Sequence, residues 1–183
     1  IAATGSVLRN HVVLRSTAKP GDALLVTGKL GGSLHGKHLD FTPRLEEANW
    51  LVSKYKPTAM MDISDGLAKD LPRLAAASGC GFVIDHSAIP LTPGSTPAQA
   101  LSDGEDFEIL LAIEPARVAG LLGAWNAVFP GLPLTRIGEL VESGTGESLT
   151  GGWDHFTGID RAAGALAFPT NPNPSIDTPP HPP

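Results

Sequence analysis

Five short apolar segments, separated by stretches with helical periodicity, constrain the fold of this chain more than any other feature of its sequence. Residues 107–113 read FEILLAI, and this apolar run predicts a strand that is buried on both faces past Glu108. Further strands are predicted at residues 23–26, 59–61, 80–85 and 133–142. The predicted order is β-α-β-α-β-(α)-β-α-β, which indicates a layered α/β or α+β domain.

Capping and proline positions predict the boundaries of two helices. Thr42 is expected to be the N-cap of the first helix, with Pro43 at its first position. Pro72 lacks an N–H donor, so the second helical pattern is predicted to break near Asp70. Asp70 would then cap a new helix that runs to residues 78–79.

Composition and charge argue against several classes of protein. Hydrophobic residues make up 42% of the 183 residues and charged residues 17%, which is typical of a soluble globule. No apolar run has the length of a membrane span. The net charge is −6 and no Lys/Arg cluster is present, so no nucleic-acid partner is expected. The single cysteine, Cys80, fits a reducing cytoplasm and is predicted to be buried at the start of a strand.

The stretch MDISDGLAKDL, residues 61–71, places three aspartates where a strand ends and a helix begins. Asp62 and Asp65 would lie on one side of a tight turn at Gly66, and Mg²⁺ prefers such carboxylates together with phosphate oxygens and water. A helix starting there would point free N–H groups at an anion, and Ser64 would donate a hydroxyl to a phosphate oxygen. The alternative is structural, with Ser64 or Asp65 capping the helix and Asp62 ending the strand. Spacing alone leaves both interpretations open.

A second acidic stretch, SDGEDFEIL at residues 102–110, leads into the longest apolar strand. It lacks the spacing of an EF-hand loop. It is either a solvated loop or a surface that receives a cationic or hydroxylated part of a substrate. Its acids are Asp103, Glu105, Asp106 and Glu108.

The glycine-rich segment VTGKLGGS, residues 26–33, does not have the spacing of a P-loop. In a P-loop the lysine follows the second glycine, whereas Lys29 follows the first, so a tight turn is predicted instead. His35 and His38 have the spacing of a zinc-binding pair, but no second pair of ligands stands nearby. A loop or surface pair is therefore expected.

The segment GGWDHF, residues 151–156, groups two aromatic residues, an acid and a histidine. Either Trp153 and Phe156 pack in the core, or Trp153 stacks on a flat aromatic ligand. No nucleophile elbow and no Ser/His/Asp set stands out in the sequence.

These segments, in this order, resemble the thiamine-monophosphate kinase family of the aminoimidazole-ribonucleotide-synthetase-like superfamily. The resemblance extends over roughly residues 15–156 and departs from the family motifs at Thr42, Asp103 and Phe107. The matches are RSTAKPGD (15–22) to RSGAKPGD, VTGKLGGS (26–33) to VTGxxGxS, TPR (42–44) to P-x-P-R, MDISDGLAKDL (61–71) to M-D-I-S-D-G-L-x-x-D-L, LSDGEDFEILL (101–111) to L-S-G-G-E-D-Y-E-L-L, and GGWDHF (151–156) to G-[YFW]-D-H-F.

The resemblance implies an α+β fold, namely the α/β sandwich of the superfamily's C-terminal domain with helices packed on a mixed sheet. It assigns residues 15–160 to that domain. Residues 1–14 are assigned to the end of an N-terminal ATP-binding domain, including its last strand. Residues 161–183 fall in a proline-rich tail that is expected to be disordered. The sequence is thus expected to be a piece of a longer protein that forms a homodimer through its N-terminal domain.

The function implied by the resemblance is transfer of the γ-phosphoryl of ATP to thiamine monophosphate, with Mg²⁺, in the cytoplasm. By motif, Asp62 and Asp65 would be Mg²⁺ ligands and Ser64 an ATP contact. Glu105 and Trp153 would contact the thiamine substrate. No residue is assigned as a catalytic base or nucleophile, because the acceptor phosphate oxygen is already ionised at neutral pH.

Two features separate this chain from the family pattern. The family has an ATP-contacting arginine shortly before RSGAKPGD, where Asn10 or His11 stands here with Arg9 close by. The metal-binding aspartates of the family's N-terminal domain are not in this sequence, so little or no kinase activity is expected of the chain alone. The alternatives are another enzyme of the superfamily, of selenophosphate synthetase or hydrogenase-maturation type, and a non-catalytic ligand-binding domain.

Overall fold

The computed structural model describes residues 4–153 of the chain. The elements follow one another in the predicted alternation. The strands are β1 (Ala23–Thr27), β2 (Ala59–Asp62), β3 (Cys80–Ile84), β4 (Ile109–Ile113) and β5 (Leu134–Glu142). The α-helices are α1 (Leu45–Lys54), α2 (Leu67–Ala77), α3 (Pro97–Ser102) and α4 (Pro115–Val128).

The five strands form one sheet in the order β2-β4-β1-β5-β3, and all four neighbouring pairs are antiparallel. The α+β class is confirmed, but the expected mixed sheet is wrong. No two strands that are consecutive in the sequence are neighbours in the sheet. Each strand instead pairs with strands that are more distant in the sequence, and these neighbours run in the opposite direction. Within residues 4–153 the parallel pairing is an isolated bridge between Leu30 and Leu91.

The sheet is covered on both faces, because its central strands send alternate apolar side chains into two separate cores. From β1, Leu24 and Val26 pack against α2, whereas Ala23 and Leu25 pack on the side of α1 and α4. All five residues of β4 are buried, as the apolar run predicted, and all five residues of β1 are buried as well. The result is a sandwich of three layers with the sheet in the middle.

Helix α2 is continuous through Pro72, so the predicted break near Asp70 is wrong. Proline inside a helix costs about 3 kcal/mol. The apolar face of the helix continues past it, and full burial of a leucine contributes about 1.5–3 kcal/mol. Leu71 and Leu74 are both fully buried, so the packing of an unbroken helix outweighs the lost backbone bond.

Helix α1 begins at Leu45, so the predicted start at Thr42 and Pro43 is two residues too early. Arg44 is the N-cap residue, with a non-helical backbone (φ −79°, ψ 47°) and no side-chain cap bond. Its guanidinium is held by Glu108, which fixes the chain just before the helix.

The first described residues form no strand between residues 4 and 14, contrary to the expectation of a terminal strand there. They contain a single-turn 3-10 helix, Arg9–His11. The carbonyl of Leu14 accepts the Met60 N–H at 3.2 Å on the outer edge of β2. One such bond does not make a strand, because a strand requires a ladder of partners. The predicted tail at residues 161–183 and the aromatic Phe156 lie outside the described residues.

Cys80 begins β3 and is 9% exposed, as predicted. Burial raises the pKa of its thiol, and this is typical of a structural cysteine. Among residues 4–153 we find no helix whose length and hydropathy would let it span a bilayer.

Two leucines provide a test of the core between the sheet, α1 and α4. Leu111 is fully buried there, and Leu39 is 80% exposed. We expect Leu111→Ala to lower the free energy of unfolding by about 2–5 kcal/mol, because it leaves a cavity. Leu39→Ala should change it by less than about 0.5 kcal/mol. Urea denaturation measures both, and equal effects would contradict the assigned core.

Candidate functional site

The turn between β2 and α2 carries three of the predicted site residues. Asp62 ends β2 and is exposed, Ile63 is fully buried, and Ser64 and Asp65 are half-buried. Gly66 follows as the N-cap residue of α2 with φ +94°. A Cβ on Gly66 would lie 2.8 Å from the Leu101 carbonyl oxygen, so only glycine fits this close approach.

The side chain of Asp70 holds this turn from inside α2. Its Oδ2 accepts the N–H of Ser64 at 2.9 Å and the N–H of Asp65 at 2.8 Å. The N-cap residue of α2 is Gly66, so neither Ser64 nor Asp65 occupies the N-cap position that the structural alternative gave it, whereas Asp62 does end β2. Instead, the side chain of Asp70, a residue within the helix, accepts N–H groups of the turn that precedes the helix.

Arg73 joins the two neighbouring carboxylates. Its guanidinium donates to Asp70 Oδ1 at 2.8 Å and to Asp65 Oδ2 at 2.5 Å. The hydrogen bond to Asp65, followed by that to Asp70, raises the pKa of Arg73, and burial opposes the shift. The sequence interpretation missed Arg73 and the role of Asp70. The sequence held one usable signal, an aspartate in the first turn of α2. Backbone N–H groups at a helix start have no partner within the helix, so a carboxylate placed there can accept from them.

The acidic segment before β4 docks on the same turn through its backbone. Glu105 N–H donates to the Ser64 carbonyl at 2.7 Å, and Phe107 N–H donates to the Ile63 carbonyl at 2.9 Å. Glu105 and Phe107 have φ values of 51° and 52°. Non-glycine residues rarely adopt such values, and they concentrate at functional sites. Glu105 itself is half-buried.

The segment with Trp153 docks on the same turn, at Asp65. Trp153 N–H donates to the Asp65 carbonyl at 2.8 Å, and Lys69 Nζ donates to the Trp153 carbonyl. Gly104 lies where the acidic segment meets the segment of Trp153, since a Cβ there would be 3.0 Å from both the Ser64 oxygen and Trp153 Cβ. Backbone hydrogen bonds thus bring three distant segments, with Ser64, Asp65, Glu105 and Trp153, to one place.

The other acids of the second stretch are buried and hydrogen-bonded to groups within the protein, so they lie neither in a solvated loop nor on a surface open to substrate. Asp103 is 9% exposed and accepts the Gly32 N–H at 2.8 Å. Asp106 is 2% exposed and binds the Gly31 N–H at 3.0 Å and the Lys37 ammonium at 2.6 Å. Both open expectations are therefore wrong for these acids, which organise the glycine-rich segment. Burial raises the pKa of both carboxyls.

Glu108 is buried in an ion pair with Arg44. The guanidinium donates to both carboxylate oxygens at 2.8 Å, and the Thr27 hydroxyl donates at 2.7 Å. The hydrogen bond to Glu108 raises the pKa of Arg44 against the effect of burial. A Cβ at Gly28 would overlap this carboxylate, so the glycine is required by packing.

The glycine-rich segment forms the predicted tight turn, with positive φ at Gly28, Gly31 and Gly32. His35 and His38 lie in two separate single-turn 3-10 helices. Within residues 4–153 we find no group of three or more His, Cys, Asp or Glu side chains that could hold a metal ion. A cation at the predicted site would have two protein carboxylates at most from this part of the chain.

Two cavities of the described residues lie away from the five predicted site residues. One, of about 400 Å³, lies where Ile84 and Asp85 face Arg136 and Glu139. The other, of about 340 Å³, lies between the glycine-rich segment and the loop that follows Leu91. The predicted site is therefore a surface where three segments converge, and neither of these cavities contains it.

A family model described as AIR synthase related protein, C-terminal domain, matches residues 33–149. Thiamine-monophosphate kinase of Rhodopirellula baltica is 40% identical over 139 residues, covering 70% of this chain and 42% of that protein. The chain spans about half the length of the curated relatives it matches.

Solved structures support the same fold. Thiamine monophosphate kinase from Aquifex aeolicus is 29% identical with a TM-score of 0.59, covering 76% of this chain and 55% of that one. A structure of AaThiL complexed with AMPPCP and TMP gives 29% identity and a TM-score of 0.58, covering 79% and 54%. The Escherichia coli hydrogenase maturation protein HypE, at 23% identity, a TM-score of 0.63 and coverage of 92% and 56%, shares the fold.

The buried Asp103 predicts a pH dependence of stability. Its pKa is raised in the folded chain, so its stabilising contribution is present below the unfolded value and is lost as pH rises through the folded value. We expect wild type to lose stability relative to Asp103→Asn as pH rises from about 4 toward 7. Urea unfolding at a series of pH values measures this difference.

Asp85 is the matched control for Asp103. The Ser87 hydroxyl, followed by the Ser87 N–H, lowers the pKa of this exposed carboxyl, so its contribution is lost as pH falls. Wild type should therefore gain stability relative to Asp85→Asn as pH rises. The same trend in both variants would contradict the assigned environments.

Proposed function

Because the chain belongs to the family of AIR synthase related proteins, C-terminal domain, we propose that the protein containing it phosphorylates thiamine monophosphate with ATP. The product is thiamine diphosphate. One observation carries the proposal: backbone hydrogen bonds place the segments of Ser64, Asp65, Glu105 and Trp153 side by side. The relatives named thiamine-monophosphate kinase and the AaThiL complex with AMPPCP and TMP support the choice of substrates.

Asp62 and Asp65 would hold Mg²⁺ in this protein. They fit the ion because hard carboxylate oxygens stand next to the start of a helix, where phosphate oxygens are also favoured. Mg²⁺ takes few protein ligands and completes its shell with phosphate and water, which agrees with a pair rather than a cage. When bound, the ion would neutralise charge on the phosphates of ATP.

The side chains of this site orient two substrates. Ser64 donates its hydroxyl to a phosphate oxygen of ATP, next to the helix start at Gly66. Trp153 stacks on an aromatic ring of thiamine, and Glu105 accepts a hydrogen bond from it or offsets its positive charge. The acceptor is an ionised phosphate oxygen, so transfer depends on position and charge rather than on a general base.

The whole protein is proposed to include an N-terminal ATP-binding domain, of which residues 1–14 are the end. Residues 15–160 are assigned to the C-terminal domain. The N-terminal domain supplies the further metal ligands and the homodimer interface, so the chain alone has little or no kinase activity. The protein works in the cytoplasm, in keeping with its single cysteine.

The competing proposals differ in what the protein binds. HypE shares the fold at 23% identity, and fold alone does not select hydrogenase-maturation or selenophosphate chemistry. Thermal-shift measurements on the full-length protein separate these enzymes, since only a thiamine-monophosphate kinase is stabilised by thiamine monophosphate over other phosphorylated ligands. A non-catalytic binding domain shows no Mg²⁺-dependent nucleotide binding in the full-length protein.

Loss of the acidic pair should stop phosphoryl transfer. In the full-length protein, Asp62→Asn and Asp65→Asn should each lower kcat about a hundredfold or more, because charge stabilisation of that size is typical of such sites. Chromatographic detection of thiamine diphosphate formed from ATP, Mg²⁺ and thiamine monophosphate measures the rate, and circular dichroism checks folding.

Asp85→Asn is the control for the acidic pair, because Asp85 lies in an exposed turn and its carboxylate accepts from Ser87. Its rate should equal that of wild type. Wild-type turnover in both acidic-pair variants would remove Asp62 and Asp65 from the mechanism, and no thiamine diphosphate from the wild type would contradict the proposed function.

Trp153→Ala should weaken binding of the acceptor selectively. Aromatic stacking on a flat ring contributes about 1–3 kcal/mol, so the KM for thiamine monophosphate should rise about tenfold while the KM for ATP changes less than twofold. Trp153→Phe, which retains a ring, should lie between the two. An unchanged KM in the alanine variant would make Trp153 a packing residue.

A further inference from the structure

We propose that Asp70 is a positioning residue that fixes the Ser64–Asp65 turn and the Asp65 carboxylate in the geometry that receives a divalent cation. The inference rests on the proposed function, in which Asp65 is a metal ligand. Asp70 itself lies within α2, and its own N–H bonds to the Gly66 carbonyl at 3.0 Å. Its backbone therefore belongs to the helix, whereas its side chain serves the turn before it.

The burial of Asp70 requires the partners that it has. The residue is 0% exposed, and a buried carboxylate is tolerated only when its oxygens are hydrogen-bonded or paired. Three donors reach it: the N–H groups of Ser64 and Asp65, and the Arg73 guanidinium. The start of α2 adds the positive end of the helix dipole.

The two oxygens of Asp70 have separate functions. Oδ2 accepts both backbone N–H groups and so fixes the path of the turn. Oδ1 accepts from Arg73, and the same guanidinium nitrogen reaches Asp65 Oδ2. Because Asp70 holds the Arg73 guanidinium, Arg73 in turn holds the Asp65 carboxylate, which is proposed to bind the cation.

The turn that Asp70 holds also anchors the segments of Glu105 and Trp153, which are proposed to bind the thiamine substrate. The Ser64 carbonyl accepts from Glu105, and the Asp65 carbonyl accepts from Trp153. Ser64 and Asp65 thus each donate to Asp70 through the N–H and accept a docked segment through the C=O. Displacement of the turn would move the cation ligand, Glu105 and Trp153 together.

The decisive experiment compares Asp70→Ala, Asp70→Asn and Leu71→Ala in the full-length protein. Asn keeps an oxygen for the two N–H groups but loses the acceptor for Arg73. Leu71→Ala removes buried apolar volume from the same helix and retains the side chain of Asp70 with its three donors. The readouts are hydrogen exchange at the Ser64 and Asp65 amides, Mg²⁺ binding by calorimetric titration without nucleotide, and kcat with KM for both substrates.

We expect Asp70→Ala to speed exchange at both amides about ten- to a hundredfold, since it removes hydrogen bonds to a charged acceptor. Mg²⁺ affinity should fall about tenfold, with KM rising for both substrates. Asp70→Asn should keep amide exchange within about threefold of wild type and still weaken Mg²⁺ binding. Leu71→Ala should lower the unfolding midpoint without a selective change at these two amides or in Mg²⁺ affinity.

Equal effects of Asp70→Ala and Leu71→Ala on the two amides and on Mg²⁺ affinity would overturn the proposal. If Asp70→Ala fails to fold, wild-type exchange decides: Ser64 and Asp65 lie outside helices and strands, yet both amides should be protected at least about tenfold, and random-coil rates would overturn the proposal. The amide comparison is independent of catalysis, so failure to form thiamine diphosphate contradicts the proposed function without deciding the role of Asp70.

Discussion

Buried carboxylates that accept backbone N–H groups hold the loops of this domain in place. Loop N–H groups that leave water must find acceptors, and a charged acceptor forms stronger bonds than a neutral one. Asp70 fills this role for the turn after β2, whereas Asp103 and Asp106 fill it for the glycine-rich segment after β1. Glu108 completes the set through its pair with Arg44. The sheet and its two cores position these acids, and the acids position the loops.

The acids of the second stretch differ from one another in the groups that they contact. Two of the four acids in the second stretch, Asp106 and Glu108, pair with Lys37 and Arg44, so their charges are offset within the protein. Asp103 is buried and accepts the Gly32 N–H. Glu105 differs from them, because its N–H anchors it to the turn and its backbone is held in a left-handed conformation. Asp62 and Asp65 lie at the edge of the site, next to the start of α2, and Asp65 is paired with Arg73. Divalent cations are the natural mediators between such carboxylates and a triphosphate.

Much of the fold followed from apolar patterns, and what failed did so for physical reasons. The alternation of strands and helices was readable because β1 and β4 are buried on both faces. The direction of neighbouring strands could not be predicted from these patterns, because antiparallel pairing here joins segments that are far apart in the sequence. The continuity of α2 through Pro72 also depended on tertiary burial, which local propensity does not report. The segments of the site were identified by motif, whereas the linking roles of Asp70 and Arg73 depended on contacts that spacing alone leaves open.

The central claim is that Asp62 and Asp65 in the turn after β2 bind divalent cations, which position the nucleotide for transfer of its phosphoryl group to thiamine monophosphate. A crystal structure of the full-length protein with Mg²⁺ and AMPPCP tests it most directly. The account predicts a metal ion bound to carboxylate oxygens of Asp62 and Asp65, next to the phosphates of the nucleotide. Both carboxylates turned away from an occupied nucleotide site, with no metal beside them, would contradict it.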